Sequence, residues 1–486
     1  MEKSEIAEIF KNSKAVMKPL GLRNDDDQVP QLTWIMFLKC IDDFEKRKEM
    51  QSNYRHIIPK PWRWRDWATD EVKGLTGQDL LNFITTDLFP TLQHLPAEEG
   101  LEERNVVASI FRSVNNKLTG QEGGYKLRQI VNDLNKIPFT DANIVRATSE
   151  LYEDEIIAMR NAAKNRAVFY TPKAIVQFIV DKIKPDFRKG ERVFDPACGM
   201  GGFLIESLNY MKKYEKSKED LDKLRYKTLY GIEKEGEYYL CAVMRMLLRD
   251  IDKPNLLKDN SLSKDTKMIT EKDQYEIIMT NPTYGGDEDK SVKTNLPYSM
   301  KGASTELHFL YYVTESLKEN GRSTIIVPNG VMSADTKSAI EIKKHLLDTC
   351  NLHTIVRLPE TMFSPYNNIA TNILFFDKST PTTEIWYYQM KIREGLQAYG
   401  MTNPPTREDF EPVLKWCTHK EENENAWSVK VEDLKEYNLD LKNPNEKEIV
   451  TNISPHELIK QILDDERKTL ELLEDVEKLI EKEIPK

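Results

Sequence analysis

The stretch Val193-Phe194-Asp195-Pro196-Ala197-Cys198-Gly199-Met200-Gly201-Gly202-Phe203-Leu204 decides the fold. A short apolar run ending in a carboxylate reads as a strand. Glycines at 199, 201 and 202 read as a turn in which backbone approaches a ligand closely, and the apolar residues beyond open a helix whose first N–H groups are unpaired. Outward from this point, between about residues 165 and 380, short β-branched runs alternate with helix-length stretches. Candidate strands lie at 192–194, 228–232, 277–280, 324–327, 354–357 and 372–376. Such alternation predicts an α/β architecture with a parallel sheet.

The acidic residue at the first strand's tip narrows the ligand. A carboxylate pairs with a cationic amine and repels a pyrophosphate, so Asp195 beside Gly199, Gly201 and Gly202 favours S-adenosylmethionine over a dinucleotide. The next strand again ends in an acid, Glu233, at the position from which such folds hydrogen-bond a ribose diol. Read alone, Glu233 is equally a solvated strand end. Asp259, in Lys258-Asp259-Asn260-Ser261-Leu262, offers a third acid where an adenine amino group would lie.

The run Ile277-Ile278-Met279-Thr280-Asn281-Pro282-Thr283-Tyr284-Gly285-Gly286 carries the chemistry. An exocyclic amine conjugated to a ring is a poor nucleophile. Its lone pair is localised when both N–H groups donate, one to the amide oxygen of Asn281 and one to the backbone carbonyl of Pro282, which proline's fixed φ helps to aim. Tyr284 supplies an aromatic face for a base swung out of its duplex. An Asn-Pro turn after a buried strand is common by itself, and the glycine loop upstream gives this one its meaning.

Asp-Pro-Ala-Cys-Gly-x-Gly-Gly-Phe-Leu followed by Asn-Pro-x-Tyr-Gly resembles the amino-group DNA methyltransferases, and among them the modification subunits of Type I restriction-modification systems, with γ-type motif order. The resemblance covers most of the chain. It implies a Rossmann-like class I S-adenosylmethionine-dependent fold with a mostly parallel, seven-stranded sheet, and methylation of adenine N6. Phe169-Tyr170-Thr171-Pro172 is similar to the cofactor motif upstream of the glycine loop, which implies Tyr170, Thr171 and Pro172 at the cofactor, the last two near the methionine carboxylate. With them, Asp195, Pro196, Ala197, Gly199, Gly201, Gly202, Phe203, Glu233, Asp259 and Asn281 form the expected cofactor set. Asn281, Pro282, Tyr284 and Phe363 form the expected catalytic set, Phe363 from Leu358-Pro359-Glu360-Thr361-Met362-Phe363, a stretch similar to the late target-base motif. Thr283 and Met200 depart from the family pattern, where a second proline and a threonine are usual.

Residues 1–155 read as a helical domain, 156–450 as the catalytic domain and 451–486 as a terminal helix. Three tryptophans interleaved with arginines in Pro61-Trp62-Arg63-Trp64-Arg65-Asp66-Trp67 read as core packing covered by arginine stems, in preference to base stacking. The last helix, opened by Ser454-Pro455-His456-Glu457, aligns Leu458, Ile459, Ile462, Leu463, Leu470, Leu473, Val476 and Leu479 near one face. That stripe fits either the chain's own core or another subunit.

Seventy Lys and Arg against 80 Asp and Glu give a formal net charge of −10, which argues against an autonomous DNA clamp. The resemblance implies instead that a specificity subunit reads double-stranded DNA, alongside a second copy of this chain and a restriction or translocase subunit. No helicase phosphate loop or nuclease site is evident, so cleavage belongs elsewhere. Five scattered cysteines lack metal-ligand or disulfide spacing, and no metal is expected. No apolar run suits a membrane span and the start lacks a signal-peptide pattern, so a cytoplasmic location is expected. Rival readings are methylation of another planar amine or amide, namely cytosine N4, RNA adenine or a protein glutamine, or a non-catalytic scaffold of the same fold.

Overall fold

The structure is a computed structural model that describes all residues except 50–53, 163–170, 286, 287, 289, 365–367, 447–454 and 484–486. Tyr170 and Ser454 lie outside the described residues. The chain forms two units, Met1–Asn443 and Pro444–Lys486.

Among the described residues the first unit is built on a sheet of nine strands: β1 (Val193–Asp195), β2 (Leu229–Glu233), β3 (Asn255–Lys258), β4 (Tyr275–Thr280), β5 (Leu317–Pro328), β6 (Asn351–Arg357), β7 (Thr371–Asp377), β8 (Glu384–Gln389) and β9 (Ala426–Lys430). Their order is β3-β2-β1-β4-β5-β7-β6-β8-β9. β1 to β5 pair in parallel, as do β6 and β8, whereas β7 runs antiparallel to both β5 and β6, and β9 to β8. The α/β class and the six anticipated strands hold. The sheet is mixed, with five of its eight pairings parallel, and the expectation of seven strands does not hold, since β8 and β9 extend it beyond β6.

Those strands follow from alternation. In β8 Ile385 and Tyr387 are buried, and Tyr387 stacks on Trp427 of β9 with ring centroids 5.1 Å apart. Pairing thus buries aromatic surface on one face while the other stays partly open.

Helices precede the sheet and pack onto it. Asp25–Lys48 is buried from Gln28 to Glu45, with three aspartates in its first turn and three basic residues in its last, both favourable to the helix dipole. It packs against Ala142–Ala162, where the hydroxyls of Thr33 and Tyr152 meet at 2.8 Å, and against Gly236–Leu247. Gly236–Leu247 is buried continuously from Tyr238 to Leu247 because it lies between sheet and helical layer, which explains why that run is apolar apart from Arg245. The tryptophans at 64 and 67 are core residues, and Arg65 pairs with Asp42 and Glu49 over them.

In the second unit, the helix Pro455–Glu483 exposes Ile459, Ile462, Leu463, Leu470 and Leu473. The side chains of Leu458, Val476 and Leu479 lie outside the described residues.

Candidate active site

The parallel register brings the C-terminal ends of β1, β2, β3 and β4 to one edge of the sheet, where loops rather than ladders satisfy the backbone. At the tip of β1 the Asp195 carboxylate accepts from the N–H of Ala197 at 3.1 Å. The turn continues with Cys198 N–H on the carbonyl of Ile232 at 2.9 Å and Gly201 N–H on that of Cys198 at 2.7 Å. Gly199 and Gly201 have φ of 52° and 79°, the left-handed region where a Cβ is strained. Gly201 is the N-cap of the helix Gly202–Met211.

Glu233 ties three loops together. Its Oε2 accepts from Gly199 N–H at 2.8 Å and its Oε1 from Glu235 N–H at 2.6 Å, while its backbone carbonyl accepts from Asp259 N–H at 3.0 Å. Both carboxylates are buried, Asp195 at 2% exposure and Glu233 at 8%. Burial pushes the Asp195 carboxyl up to about 7, reinforced by the charge of Glu233, and burial also raises Glu233. Among the described residues, neither ion-pairs with a lysine or arginine.

β4 delivers Asn281 to the same edge. Its Nδ2 donates to Thr171 Oγ1 at 3.0 Å and its Oδ1 accepts from the Tyr284 hydroxyl at 2.7 Å. Gly285 N–H donates to Glu306 Oε1 at 2.6 Å, closing the turn. A cavity of about 50 Å³ is lined by Thr171, Asp195, Gly199, Met200, Phe203 and Asn281. Pro172 caps the helix Lys173–Ile183 beside it, Pro196 is buried, and Ala197 and Gly202 are half-buried.

Not every anticipated residue gathers there. Asp259 is exposed and lines a separate cleft of about 460 Å³, floored by Phe194, Tyr230 and Tyr275 and rimmed by Glu102 and Asn105 of the helical layer. Phe363 is 1% exposed, within the apolar core beside Met362. The structure therefore brings Asn281, Thr171, Asp195 and the glycines together and leaves Phe363 inside the core. Two features carried no motif in the sequence. Glu306 anchors the turn after Tyr284, and Arg245 reaches the glycine loop from a mostly apolar helix; an arginine within the otherwise apolar run 238–247 was the available signal.

Residues 147–452 match the family model described as N-6 DNA Methylase. The chain is 37% identical over 470 residues to the Type I restriction enzyme EcoEI methylase subunit of Escherichia coli, covering 94% of each. It is 27% identical to the StySPI methylase subunit of Salmonella potsdam, covering 79% of this chain and 70% of that one. Among solved structures, a chain from Vibrio vulnificus YJ016 described as a modification subunit of a type I restriction enzyme superposes with a TM-score of 0.78 at 36% identity, over 91% of this chain and 97% of that chain. The sheet with its acidic strand tips, the left-handed glycine loop and the Asn-Pro-x-Tyr turn agree with these likenesses, and the chain belongs to the N-6 DNA methylase family.

Proposed function

We propose that this chain is the modification subunit of a Type I restriction-modification complex and methylates adenine N6 in double-stranded DNA at the expense of S-adenosylmethionine. The observation that carries the reading is that Asn281 lines one cavity with Asp195 and Gly199, which sets an amine-polarising amide beside a loop suited to a cationic cofactor.

The residues present fit that cofactor. Two buried carboxylates without a lysine or arginine partner among the described residues favour a cationic or hydroxyl-bearing ligand, and the glycines at positive φ present no side chain at 199 and 201. Asp195 and Glu233 would hold it, with Asp259 at its adenine end. Thr171 and Pro172 would lie at its carboxylate, Tyr170 would join them in binding it, and Pro196, Ala197, Gly199, Gly201, Gly202 and Phe203 would shape the loop around it. The cofactor supplies an electrophilic methyl group on a positively charged sulfur.

The chain's own task is to prepare the nucleophile. An amide oxygen has two acceptor sites. Tyr284 occupies one of those on Asn281, which leaves the other for an N6 hydrogen, and the Pro282 carbonyl takes the second hydrogen. The adenine would be flipped out of the duplex and stacked on Tyr284. Phe363 would take its other face, which requires the 360–363 turn to leave the core. Positioning then provides most of the rate.

Residues 1–155 would serve as a helical domain, 156–450 as the catalytic domain, and 451–486 as the helix that docks the specificity subunit. A second copy of this chain and a restriction or translocase subunit would complete the assembly. Among the described residues no helix is long and apolar enough to cross a membrane and no cluster of His, Cys, Asp and Glu suits a metal ion.

The test is transfer of labelled methyl from S-adenosylmethionine by the chain co-expressed with its specificity subunit, offered DNA and bulk protein as acceptors. Label in DNA as N6-methyladenine, lost in Asn281→Ala, supports the reading. Label in protein alone, or undiminished DNA methylation by the variant, overturns it.

A further inference from the structure

The glycine loop is held from behind by a buried arginine. The Met200 carbonyl, in the middle of the loop, accepts from Nη1 of Arg245, a side chain only 5% exposed. The same guanidinium donates Nε to Glu153 Oε1 at 2.9 Å and Nη2 to Glu153 Oε2 at 2.7 Å. Arg249 adds Nη2 to Glu153 Oε1 at 2.8 Å and returns Nη1 to the Arg245 carbonyl at 2.9 Å. Glu153 stands on Ala142–Ala162, in the helical layer. Arg245 stands on Gly236–Leu247, the helix that follows Glu233.

This arrangement exceeds what packing requires. A guanidinium is planar, with five donors in a fixed fork, so the two-point grip of Glu153 sets its plane and fixes the in-plane directions of the Nη1 donors. One of those directions ends on Met200, between the two left-handed glycines. A lysine, with one mobile point charge, cannot span both partners. Without the arginine, a buried carbonyl in the loop would be unpaired, and two of the three loop residues that follow Cys198 are glycines with little stiffness of their own. Glu233 fixes the loop's front at Gly199, and Arg245 fixes its back at Met200.

We infer that Arg245, oriented by Glu153, is a positioning residue for cofactor binding, through which the helical layer sets the geometry of the glycine loop. The inference rests on the reading of this loop as the S-adenosylmethionine site. It uses the carbonyl of residue 200, so the methionine found there in place of the family's usual threonine leaves it intact. A corollary is that cofactor affinity depends on a residue of the helical layer that lines no part of the cavity.

The experiment uses the full chain and three readouts: calorimetric binding of S-adenosylmethionine, hydrogen exchange of the peptide spanning the loop, and steady-state methylation with the specificity subunit. Arg245→Met keeps the apolar stem and removes the donors. Its expected behaviour is affinity weaker by about tenfold, which corresponds to about 1.4 kcal/mol, and faster exchange confined to the loop. KM for the cofactor rises while kcat at saturation stays near the wild-type value. Arg245→Lys is expected to recover little, because charge alone does not aim the donor. Glu153→Gln leaves Arg245 in place and removes its orienting grip, so an intermediate loss is expected; it replaces Arg245→Met if that variant does not fold. Unchanged affinity and unchanged exchange in a folded variant overturn the inference, as does full rescue by lysine. Failure of the wild-type chain to bind the cofactor would refute the reading of the site instead, and loop exchange, which needs no cofactor, would still decide the role of Arg245.

Discussion

The Tyr284 hydroxyl donates to the amide oxygen of Asn281 at 2.7 Å, so the aromatic ring three residues on is tied to the group proposed to receive the target amine. Two roles of Tyr284 can therefore be separated. Tyr284→Phe removes the bond and keeps the ring, and methyl transfer should fall by about fivefold, the worth of one neutral hydrogen bond. Tyr284→Ala also removes the stacking face, and the loss should reach about a hundredfold. Asn281→Ala should lower kcat by about 10²–10³-fold, as loss of a polarising group does. Equal losses in Phe and Ala variants, measured by label transfer to DNA, would assign the ring no role.

Burial of Asp195 gives the site a pH signature. Its carboxyl rises to about 7 in the folded chain, above the ordinary range for the unfolded one. A raised carboxyl contributes stability that is fully present below its unfolded pKa and is lost as pH rises through the folded value. The ligand-free chain should therefore lose stability between about pH 4 and about pH 7. Asp195→Asn, which carries no charge to bury, should be more stable than wild type at about pH 8, by on the order of 2–4 kcal/mol. The same variant should bind S-adenosylmethionine far more weakly. Wild-type affinity should fall as pH drops through about 7, whereas that of the variant should be flat. Calorimetry and thermal melts across this range check both signs, and a destabilised variant would contradict the argument.

The parts of the fold that were legible in the sequence are those where neighbours along the chain decide the structure. Asp195, Gly199 and Gly201 stand where a strand must end, turn through positive φ and start a helix, and each step leaves its residue type in place. The edge strand β3 escaped notice because it is four residues long and mixes polar residues with Leu257, which is exposed. β8 and β9 lie in a polar stretch, and what makes them strands is the stacking of Tyr387 on Trp427, forty residues away. Arg245 was invisible for a related reason. It recognises a backbone carbonyl 45 residues upstream, and carbonyls have no letter in a sequence. Phe363 shows the converse, since its motif suggested a stacking role while its surroundings bury it in the core.

Gly201 offers a clean measure of backbone strain. A Cβ there would meet Ala242 Cβ at 3.7 Å, an ordinary contact, so crowding is not the issue. The φ of 79° is. Gly201→Ala should destabilise the chain by about 1–2 kcal/mol, the penalty of the left-handed region for a residue with a side chain. Because the loop would relax toward negative φ, cofactor affinity should fall as well. A shifted urea midpoint together with weakened calorimetric binding is the expected pair of results. A loss of stability with unchanged affinity would separate the turn from the cofactor site.

The helix Pro455–Glu483 belongs to a unit of its own, so removing it tests the docking role directly. Ile459, Ile462, Leu463, Leu470 and Leu473 are all more than half exposed along it, and apolar side chains spaced at helical intervals gain most when a second helix covers them. A chain ending at Asn443 should melt like the full chain and bind S-adenosylmethionine with the same affinity, because Asp195, Glu233, Asn281 and the Glu153–Arg245 pair all lie in the first unit. It should fail to co-elute with the specificity subunit and should not methylate DNA. Replacing Ile462 and Leu470 by Glu in the full chain should reproduce the loss of association without shortening the chain. Normal co-elution of the truncated chain would place the contact with the specificity subunit elsewhere, and loss of cofactor binding on truncation would show that the terminal unit supports the site itself.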